Sequence, residues 1–303
     1  MIKKIVIGIV AFTILVAAGA YVFINSVRKS LPQIITLKDY NPLLVSPVFD
    51  RKGKQIGEFF RERRTLIPVD KIPKHVINAF LAAEDDQFFK HKGVNYSAIL
   101  RATLANMRAG HTVQGGSTIT QQVAKTLFLS DARTFDRKIK EAMLALELEK
   151  NLEKEDILYL YLNQIYFGQS AYGVENAART YYQKSIEQIS IAEAAMLAGL
   201  PKAPSAFSPV KNPSRAKERQ IYVIRRMVDV KFITKEEGER AEKESLKLFV
   251  RSNYQETAPY VLETVRQMLI AELGEEMVLD KGIKVTTSID LDKQLAAQEA
   301  LQA

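Results

Sequence analysis

Eleven consecutive residues, beginning at Glu84, carry the side chains best suited to acid–base chemistry. Glu84 and Asp85 follow directly on the apolar run 76–83, and His91 and Gly93 come after two phenylalanines. A carboxylate at the end of an apolar helix is poorly solvated, so its pKa tends to rise toward neutrality, as a general base requires. The alternative is an acidic helix terminus beside a structural aromatic pair, and this segment alone supports both interpretations equally.

A second segment, residues 114–125, predicts the start of a helix that faces an anion. Thr118 and Gln121 have the spacing of a capping box, two glycines precede them, and Lys125 lies one turn further on. The free N–H groups and positive dipole end of such a helix attract phosphate or diphosphate. The alternative is an ordinary capped helix. Because the Gly-Lys-Ser/Thr ending of a nucleotide P-loop is missing, we expect no ATP or GTP binding.

A third segment places two cations and a carboxylate on one helix face. Arg137 and Lys138 precede Glu141 by four and three residues, a spacing that brings all three side chains together. The nearby positive charges favour the ionised form of Glu141. The alternative is a surface ion pair that contributes little to stability. Arginine before glutamate is the weaker helical order, so positioning an anion explains the arrangement better than stabilisation does.

The composition is compatible with an anionic partner. The chain of 303 residues is 47% hydrophobic, has a formal net charge of +8 and contains no cysteine. It therefore has no disulfide framework and no thiolate metal site. The positive charge suits nucleic acid, anionic lipid or a phosphorylated substrate, and a basic, well-solvated surface explains it equally well.

The amino-terminal region predicts a membrane anchor. Residues 5–24 are uncharged and mostly apolar, which is the length of a transmembrane helix. We expect residues 1–4 in the cytoplasm, residues 25–45 as a juxtamembrane linker, and the remainder outside. A cleaved signal peptide ending near residues 18–20 is the alternative, but the apolar run continues past that point.

The pattern beyond the linker is mostly helical. Residues 48–59 predict a β-hairpin, and from Pro73 onward apolar residues recur at helical spacing. We assign residues 46–246 to one domain. The predicted helices lie near 73–84, 97–108, 118–128, 134–150, 154–165, 171–181, 189–199, 213–229 and 235–245.

The tail, residues 247–303, has a different pattern. It predicts a helix near 257–273, a strand at 283–287 and a final helical stretch that stops at Ala303 without a capping signal. A chain that stops inside a helix-like segment favours a longer protein that has been cut, whereas the alternative is a short helix that frays.

Together with two later segments, these three resemble glycosyltransferase family 51, the peptidoglycan polymerases. Five segments in the family's order are highly specific, although each alone is only suggestive. The first matches at Glu84, Asp85, Phe88, His91 and Gly93. The second matches at Gly115, Ser117, Thr118, Ile119, Gln121, Gln122 and Lys125, and the third at Arg137, Lys138 and Glu141. The last two match at Lys154, Asn163, Tyr166, Gly168 and residues 199–205.

The resemblance implies a fold and a reaction. The fold would be mostly α and lysozyme-like, with a helical lobe that holds the base and a smaller jaw lobe close to the membrane, to which residues 101–115 would belong. The reaction would polymerise lipid II into β-1,4-linked glycan chains, with inversion and release of undecaprenyl pyrophosphate. Glu84 would deprotonate the attacking hydroxyl, and Glu141 would orient the donor or support the developing oxocarbenium.

The resemblance also implies the binding residues and partners. Substrate and diphosphate would be held by Asp85, His91, Ser117, Thr118, Gln121, Gln122, Lys125, Arg137 and Lys138. No cofactor is firmly required, and a divalent cation, Mg or Mn, is left open with no metal ligand assigned. The partners would be lipid II, the growing glycan chain, membrane lipid and proteins of the cell-wall synthesis machinery, with no nucleic acid.

The expected location is the inner (cytoplasmic) membrane, crossed once, with the catalytic domain on the periplasmic side. The tail resembles the linker and the start of a truncated transpeptidase region of class A penicillin-binding proteins. Two Ser-x-x-Lys matches, at Ser208 and Ser214, are attributed to chance because no Lys-Thr-Gly follows. We therefore expect neither acyl transfer nor penicillin binding from these residues.

Two other functions fit parts of the pattern. A lysozyme-like hydrolase would use a glutamic acid as proton donor, but an uncharged leaving group does not need the cations Lys125, Arg137 and Lys138. A membrane-anchored binding module for nucleic acid or lipid would use the basic surface. In most predicted helices basic and acidic residues alternate, which weakens a continuous positive footprint.

Overall fold

The computed structural model describes residues 2–32, 40, 42–111, 115–129, 134–249 and 258–302. The predicted juxtamembrane linker lies partly outside these ranges, and so do Ala303 and the first residue of the helix expected near 257–273. The helices of the first half are α1 (Ile2–Lys29), α2 (Lys74–Glu84), α3 (Tyr96–Ala109), α4 (Ile119–Phe128), α5 (Phe135–Asn151) and α6 (Lys154–Gln164). Those that follow are α7 (Val174–Tyr182), α8 (Ile191–Gly199), α9 (Pro213–Asp229), α10 (Lys235–Lys243), α11 (Pro259–Leu273), α12 (Glu275–Asp280) and α13 (Leu291–Gln302).

The strands are short and few in the described residues. They are β1 (Ser46–Phe49), β2 (Gln55–Phe59), β3 (Arg63–Arg64), β4 (Ala171–Tyr172) and β5 (Val285–Thr286). The chain is therefore mostly helical, as the sequence predicted. The helix expected to begin at residue 171 begins at Val174 instead, because residues 171–172 pair in parallel with β3. The predicted hairpin is confirmed, since β1 and β2 pair antiparallel.

The anchor prediction concerns α1, which runs to Lys29 and so includes the first residues assigned to the linker. Over the part of the chain that the structure describes, no helix combines the length and the apolar character needed to cross a bilayer. A membrane span at residues 5–24 therefore stays a prediction.

The chain divides into two compact units, which are described separately. The smaller unit comprises residues 1–39 and 87–157, and the larger unit comprises residues 40–86 and 158–303. In the smaller unit, α4 packs against α5, and α1 also contacts α5. Buried Ile119 and Val123 of α4, together with buried Leu144 of α5, form its apolar centre.

Two glycines of the smaller unit allow close backbone approaches. Gly93 has φ +85°, and a Cβ at this position would lie 2.6 Å from the carbonyl oxygen of Ala145 on α5. A Cβ at Gly116 would lie 3.1 Å from Cα of Ile99 on α3. The segments before α3 and α4 are thus packed directly against the backbone of neighbouring helices.

The larger unit is built on packing among α2, α8 and α9. Helix α8 consists largely of alanine with a terminal Gly199, and these small side chains let the neighbouring helices approach closely. Beside them, the ring of Phe80 makes edge-on contacts with the rings of Tyr161 and Phe167. Asn163 ties α6 to an extended segment by exchanging two hydrogen bonds, of 2.9 and 3.0 Å, with the backbone of Ile67.

A second apolar cluster of the larger unit joins the hairpin to the tail. Strand β1 lies between β2 and β5 and pairs in parallel with β5. The cluster is formed by Val48, Ile56, Phe59, Leu262, Val278, Val285 and Leu291. The hairpin, which the sequence analysis grouped with the helical domain, therefore shares its core with residues of the tail.

Candidate active site

Glu84 is the last residue of α2, in the larger unit. The helix buries Val76 and Phe80, and the chain leaves it at Asp85, whose N–H donates to the carbonyl oxygen of Leu81 at 2.9 Å. Asp85 is itself buried. The predicted placement of Glu84 at the end of an apolar helix is confirmed. Because the carboxylate lies at the negative end of the helix dipole, the helix itself disfavours its charge.

A buried arginine opposes that effect. Nη2 of Arg219, on α9, lies 4.0 Å from Oε1 of Glu84, and both side chains are largely buried. The guanidinium carbon lies 4.5 Å from the centre of the Tyr222 ring, a cation–π contact. The arginine therefore supplies a fixed positive charge beside the candidate base.

The pKa values of two other groups near Glu84, Tyr161 and Lys202, are also shifted. Burial raises the pKa of Tyr161 well above its ordinary value, and the negative charges of Glu84 and Asp85 add to this effect. Partial desolvation lowers the pKa of Lys202, with a further lowering by Arg219 and an opposing effect of Glu84. The end of α2 is thus bordered by a neutral phenol and two cations.

The predicted ionic group on α5 forms in the smaller unit. Nζ of Lys138 donates to Oε2 of Glu141 at 2.5 Å and to Oγ of Ser117 at 2.8 Å. Nε of Arg137 lies 3.3 Å from Oε1 of Glu141, a charge contact that lacks hydrogen-bond geometry. Glu141 is only 4% exposed at its side chain, whereas Lys138 is 46% exposed. We call Ser117, Arg137, Lys138 and Glu141 the charge cluster.

The start of α4 has the predicted capping box. Oγ1 of Thr118 accepts from the N–H of Gln121 at 3.1 Å, and the N–H of Thr118 donates to Oε1 of Gln121 at 3.0 Å. The Thr118 hydroxyl also donates to the carbonyl oxygen of Gly93 at 2.6 Å, which joins the first two segments of the sequence pattern. Both capping side chains are buried, so direct contact between them and a ligand stays a prediction.

The other residues assigned to binding also lie in the smaller unit. Lys125 is half-buried on α4, and its side chain makes no hydrogen bond or ion pair with any residue that the structure describes. Gln122, on the same helix, is half-buried as well. The His91 ring stands edge-on to the buried Phe88 ring, with 6.2 Å between centres. Lys125 is therefore a cation that a diphosphate could engage.

Lys154 braces this part of the molecule. Its Nζ lies 2.6 Å from Oε1 of Glu149 and 4.4 Å from the centre of the Phe88 ring. The hydroxyl of Thr120 donates to the same Glu149 oxygen at 2.6 Å. Lys154 thus links α5 to the turn that precedes Gly93, and Glu149 links α5 to α4.

The predicted site residues are distributed over both units. The charge cluster brings together Ser117, Arg137, Lys138 and Glu141 within one unit, whereas Glu84 and Asp85 belong to the other. Sequence reasoning missed Arg219, Lys202 and Tyr161. Lys202 and Tyr161 lie in matched segments, but Arg219 lies outside them, and no spacing rule connects it to Glu84.

The described residues contain no cluster of side chains suited to bind a metal ion. Among them, no group of three or more histidine, aspartate or glutamate side chains is arranged to hold a metal ion. The expectation of a divalent cation is therefore not assigned to residues.

Comparisons with known proteins place these features in context. The sequence profile of the family described as Transglycosylase matches residues 52–228. Penicillin-binding protein 1A of Aquifex aeolicus is 44% identical over 301 residues, which are 99% of this chain and 41% of that protein. Penicillin-binding protein 1A of Neisseria flavescens is 43% identical over 298 residues, which are 98% of this chain and 36% of that protein.

A solved structure is also similar. The crystal structure of penicillin-binding protein 1A from Haemophilus influenzae aligns with a TM-score of 0.51 and 28% sequence identity, covering 86% of this chain and 29% of that one. The chain thus spans about two fifths of the length of the curated relatives that it matches.

Proposed function

Because the chain belongs to the transglycosylase family, we propose that it polymerises lipid II into β-1,4-linked glycan chains for the bacterial cell wall. The donor is the growing glycan held on undecaprenyl pyrophosphate, and the acceptor is a second lipid II. The acceptor's sugar 4-hydroxyl attacks the anomeric carbon of the donor with inversion. The bond from that carbon to the pyrophosphate oxygen breaks, and undecaprenyl pyrophosphate leaves with the bonding electrons.

The observation that carries this proposal is the charge cluster. A diphosphate leaves as a stable anion and needs no proton, but its growing charge needs neutralisation. The 46% exposed Lys138 side chain offers donors to a ligand while Glu141 and Ser117 orient it. Lys125 and the capped N-terminus of α4 add positive charge in the same unit. Such an arrangement suits transfer from a lipid diphosphate better than hydrolysis of an uncharged glycoside.

Glu84 is the proton acceptor in this proposal. The carboxylate takes the proton of the attacking hydroxyl, and Arg219 favours its charged form before the reaction. Glu141, paired with Lys138, orients the donor or supports the developing oxocarbenium. Asp85 in the larger unit, and His91 and the polar residues of α4 in the smaller unit, are the proposed substrate-binding residues.

A lysozyme-like arrangement with a jaw lobe fits the helical composition and the solved relative. Helix α3, in the smaller unit, supports a membrane-facing jaw. One side of this helix exposes Tyr96, Leu100, Leu104 and Met107, which recur at helical spacing, whereas Ala102 is buried. Arg101, also exposed, borders this apolar stripe. The stripe fits an anionic lipid surface, where apolar side chains insert and cations meet headgroups.

The proposed location follows from the same reasoning. We place the chain at the cytoplasmic membrane, anchored by residues 5–24, with its catalytic part on the periplasmic side. Lipid II, the growing glycan and membrane lipid are the proposed partners, with proteins of cell-wall synthesis as further ones. The hydrophobic tail of the substrate then stays in the bilayer while its diphosphate reaches the charge cluster.

The test is gel analysis of products from labelled lipid II. We expect a ladder of glycan polymers that disappears with moenomycin, a donor mimic in the family that the chain resembles. We expect Lys138→Met to reduce kcat/KM about 10- to 100-fold, because a hydrogen bond to a charged group contributes ~1.5–3 kcal/mol. Lys150→Met is the matched control, since Lys150 lies on the same helix and pairs only at the surface with Glu147.

The proposal fails if lipid II is not polymerised under conditions where the protein is folded. It also fails if purified cell wall is cleared in a turbidity assay while lipid II is left unchanged, because that result indicates a lytic enzyme. Equal activity of the Lys138→Met and Lys150→Met variants would contradict a role of the charge cluster in the reaction.

A further inference from the structure

Arg219 is the charged residue beside Glu84 that neither the sequence pattern nor the charge cluster accounts for. It comes from α9, far along the chain, yet its Nη2 atom lies 4.0 Å from Oε1 of Glu84. Residue Arg219 is only 9% exposed. Burying a charged side chain away from water is costly unless nearby groups compensate for its lost hydration.

The surrounding side chains hold the arginine in place. The ring of Tyr222, one turn further along α9, lies 4.5 Å from the guanidinium carbon, and the ring of Phe207 lies 5.8 Å from it. A Cβ at Gly199 would lie 2.9 Å from Cγ of Arg219, so the glycine at the end of α8 makes room for the arginine stem. The next residue, Gln220, fixes α9 to α8 by donating to the carbonyl oxygen of Ala192 at 2.7 Å.

Other titratable groups of the larger unit also lie near Glu84. Lys202 follows α8, and its titration is coupled to Glu84 and Arg219. Tyr161, on α6, is buried and responds to Glu84 and Asp85. The next acidic residue along the chain is already paired, because Asp86 accepts a 2.7 Å hydrogen bond from Arg226. Arg219 is therefore a buried cation, and the packing around its side chain fixes its distance to Glu84.

We propose that Arg219 is a positioning residue that aims Glu84 and keeps its carboxyl group charged, so that the base is ready when the acceptor hydroxyl arrives. This inference rests on the proposed function only for the identity of the acceptor. The physical reason is the balance of two fields at the end of α2. The helix dipole disfavours a negative charge there, and a cation within about 4–6 Å favours the ionised carboxylate again. The distance of 4.0 Å places the guanidinium charge within this range.

The sign of the pH dependence follows. Removing the positive charge makes the Glu84 carboxyl hold its proton to a higher pH. Activity of an Arg219→Met variant should therefore fall most on the acidic side and recover as the pH rises. We expect the acidic limb of kcat/KM to move up by about one pH unit, which is a tenfold loss below the midpoint and little loss well above it.

A substrate-free measurement provides the direct test. Glutamate carboxyl carbons are labelled with ¹³C, and the Glu84 resonance is assigned by its loss in Glu84→Gln. We expect the titration midpoint of this resonance to move to higher pH by about one unit in Arg219→Met and by less in Arg219→Lys, which keeps the charge. Arg215→Met is the control, since Arg215 is an exposed residue of the same helix.

An unchanged midpoint in folded Arg219→Met overturns the inference, and so does an equal loss of activity at every pH. If Arg219→Met does not fold, Tyr222→Leu takes its place, because it removes only the half-exposed ring beneath the guanidinium. That variant should show a smaller shift in the same direction, and no shift contradicts the inference. A midpoint shift in a protein that does not polymerise lipid II would reject the proposed function and keep the inference.

Discussion

The two glutamates proposed for catalysis occupy contrasting settings. Glu141 lies inside α5, and its cations come from the preceding turn of the same helix, with Nζ of Lys138 at 2.5 Å. Glu84 ends α2, and its arginine comes from another helix, at 4.0 Å. A short, charge-assisted hydrogen bond stabilises an ionised carboxylate and makes it a poor proton acceptor. The short bond at Glu141 supports the proposal that Glu141 works as a fixed charge, with Glu84 as the base.

The helices that carry the two glutamates also pack differently. The helix that carries Glu141 is approached by the Gly93 backbone, whereas the helix that carries Glu84 is held by small residues of α8. Substitutions that disturb only one of the two regions therefore test whether the surroundings of the two glutamates differ in this way.

The largest stability effect is expected for Gly93→Ala. Its φ of +85° is unfavourable for alanine, and the new Cβ would lie 2.6 Å from the carbonyl oxygen of Ala145. We expect the free energy of unfolding to fall by about 2–4 kcal/mol, from the strained backbone and the clash together. Chemical denaturation measures it. Gly53→Ala is the control, because φ is also positive there but nothing lies within 4 Å of the added Cβ. Equal losses in the two variants would contradict the close approach to α5.

A smaller effect is expected for Glu141→Gln. The substitution leaves Lys138 and Arg137 without their carboxylate, but Lys138 is 46% exposed and can be solvated. We expect the free energy of unfolding to fall by about 1–3 kcal/mol, below the usual loss for a fully buried pair. The same measurement on Glu84→Gln should show a change within about 1 kcal/mol, since its contact with Arg219, at 4.0 Å, is longer than the 2.5 Å bond at Glu141. The contrast fails if Glu84→Gln is the more destabilising of the two.

Much of this arrangement could be predicted from local spacing. The capping box at Thr118 and the three-residue interval from Lys138 to Glu141 are properties of a single helix, and both are found. Strands β3 and β4 have only two residues each, which is too short for a periodic signal. The parallel pairing of β1 with β5 joins two predicted strands that lie far apart in the chain, so no local spacing indicates it. The short helix α12 was missed because its six residues, between Gly274 and the bridge residue Lys281, are too few to show helical spacing.

Arg219 illustrates what the sequence could not show. Helix α9 has the pattern of an amphipathic surface helix with many basic residues, and any of them could have been solvated. Only the packing of α2, α8 and α9 brings this particular arginine to Glu84. A contact that forms only where three helices meet has no fixed spacing in the sequence, so the sequence does not reveal it.

The most direct test of the account is the rate of glycan polymer formation from labelled lipid II by Glu84→Gln at saturating substrate. General-base help typically contributes about 10²–10⁴-fold, and glutamine keeps the shape of the side chain without accepting the proton. The account predicts a rate lower by about that factor while moenomycin binds as tightly as to the unchanged protein. Polymerisation within about twofold of the unchanged protein, far inside that range, would contradict the role of Glu84 as the base.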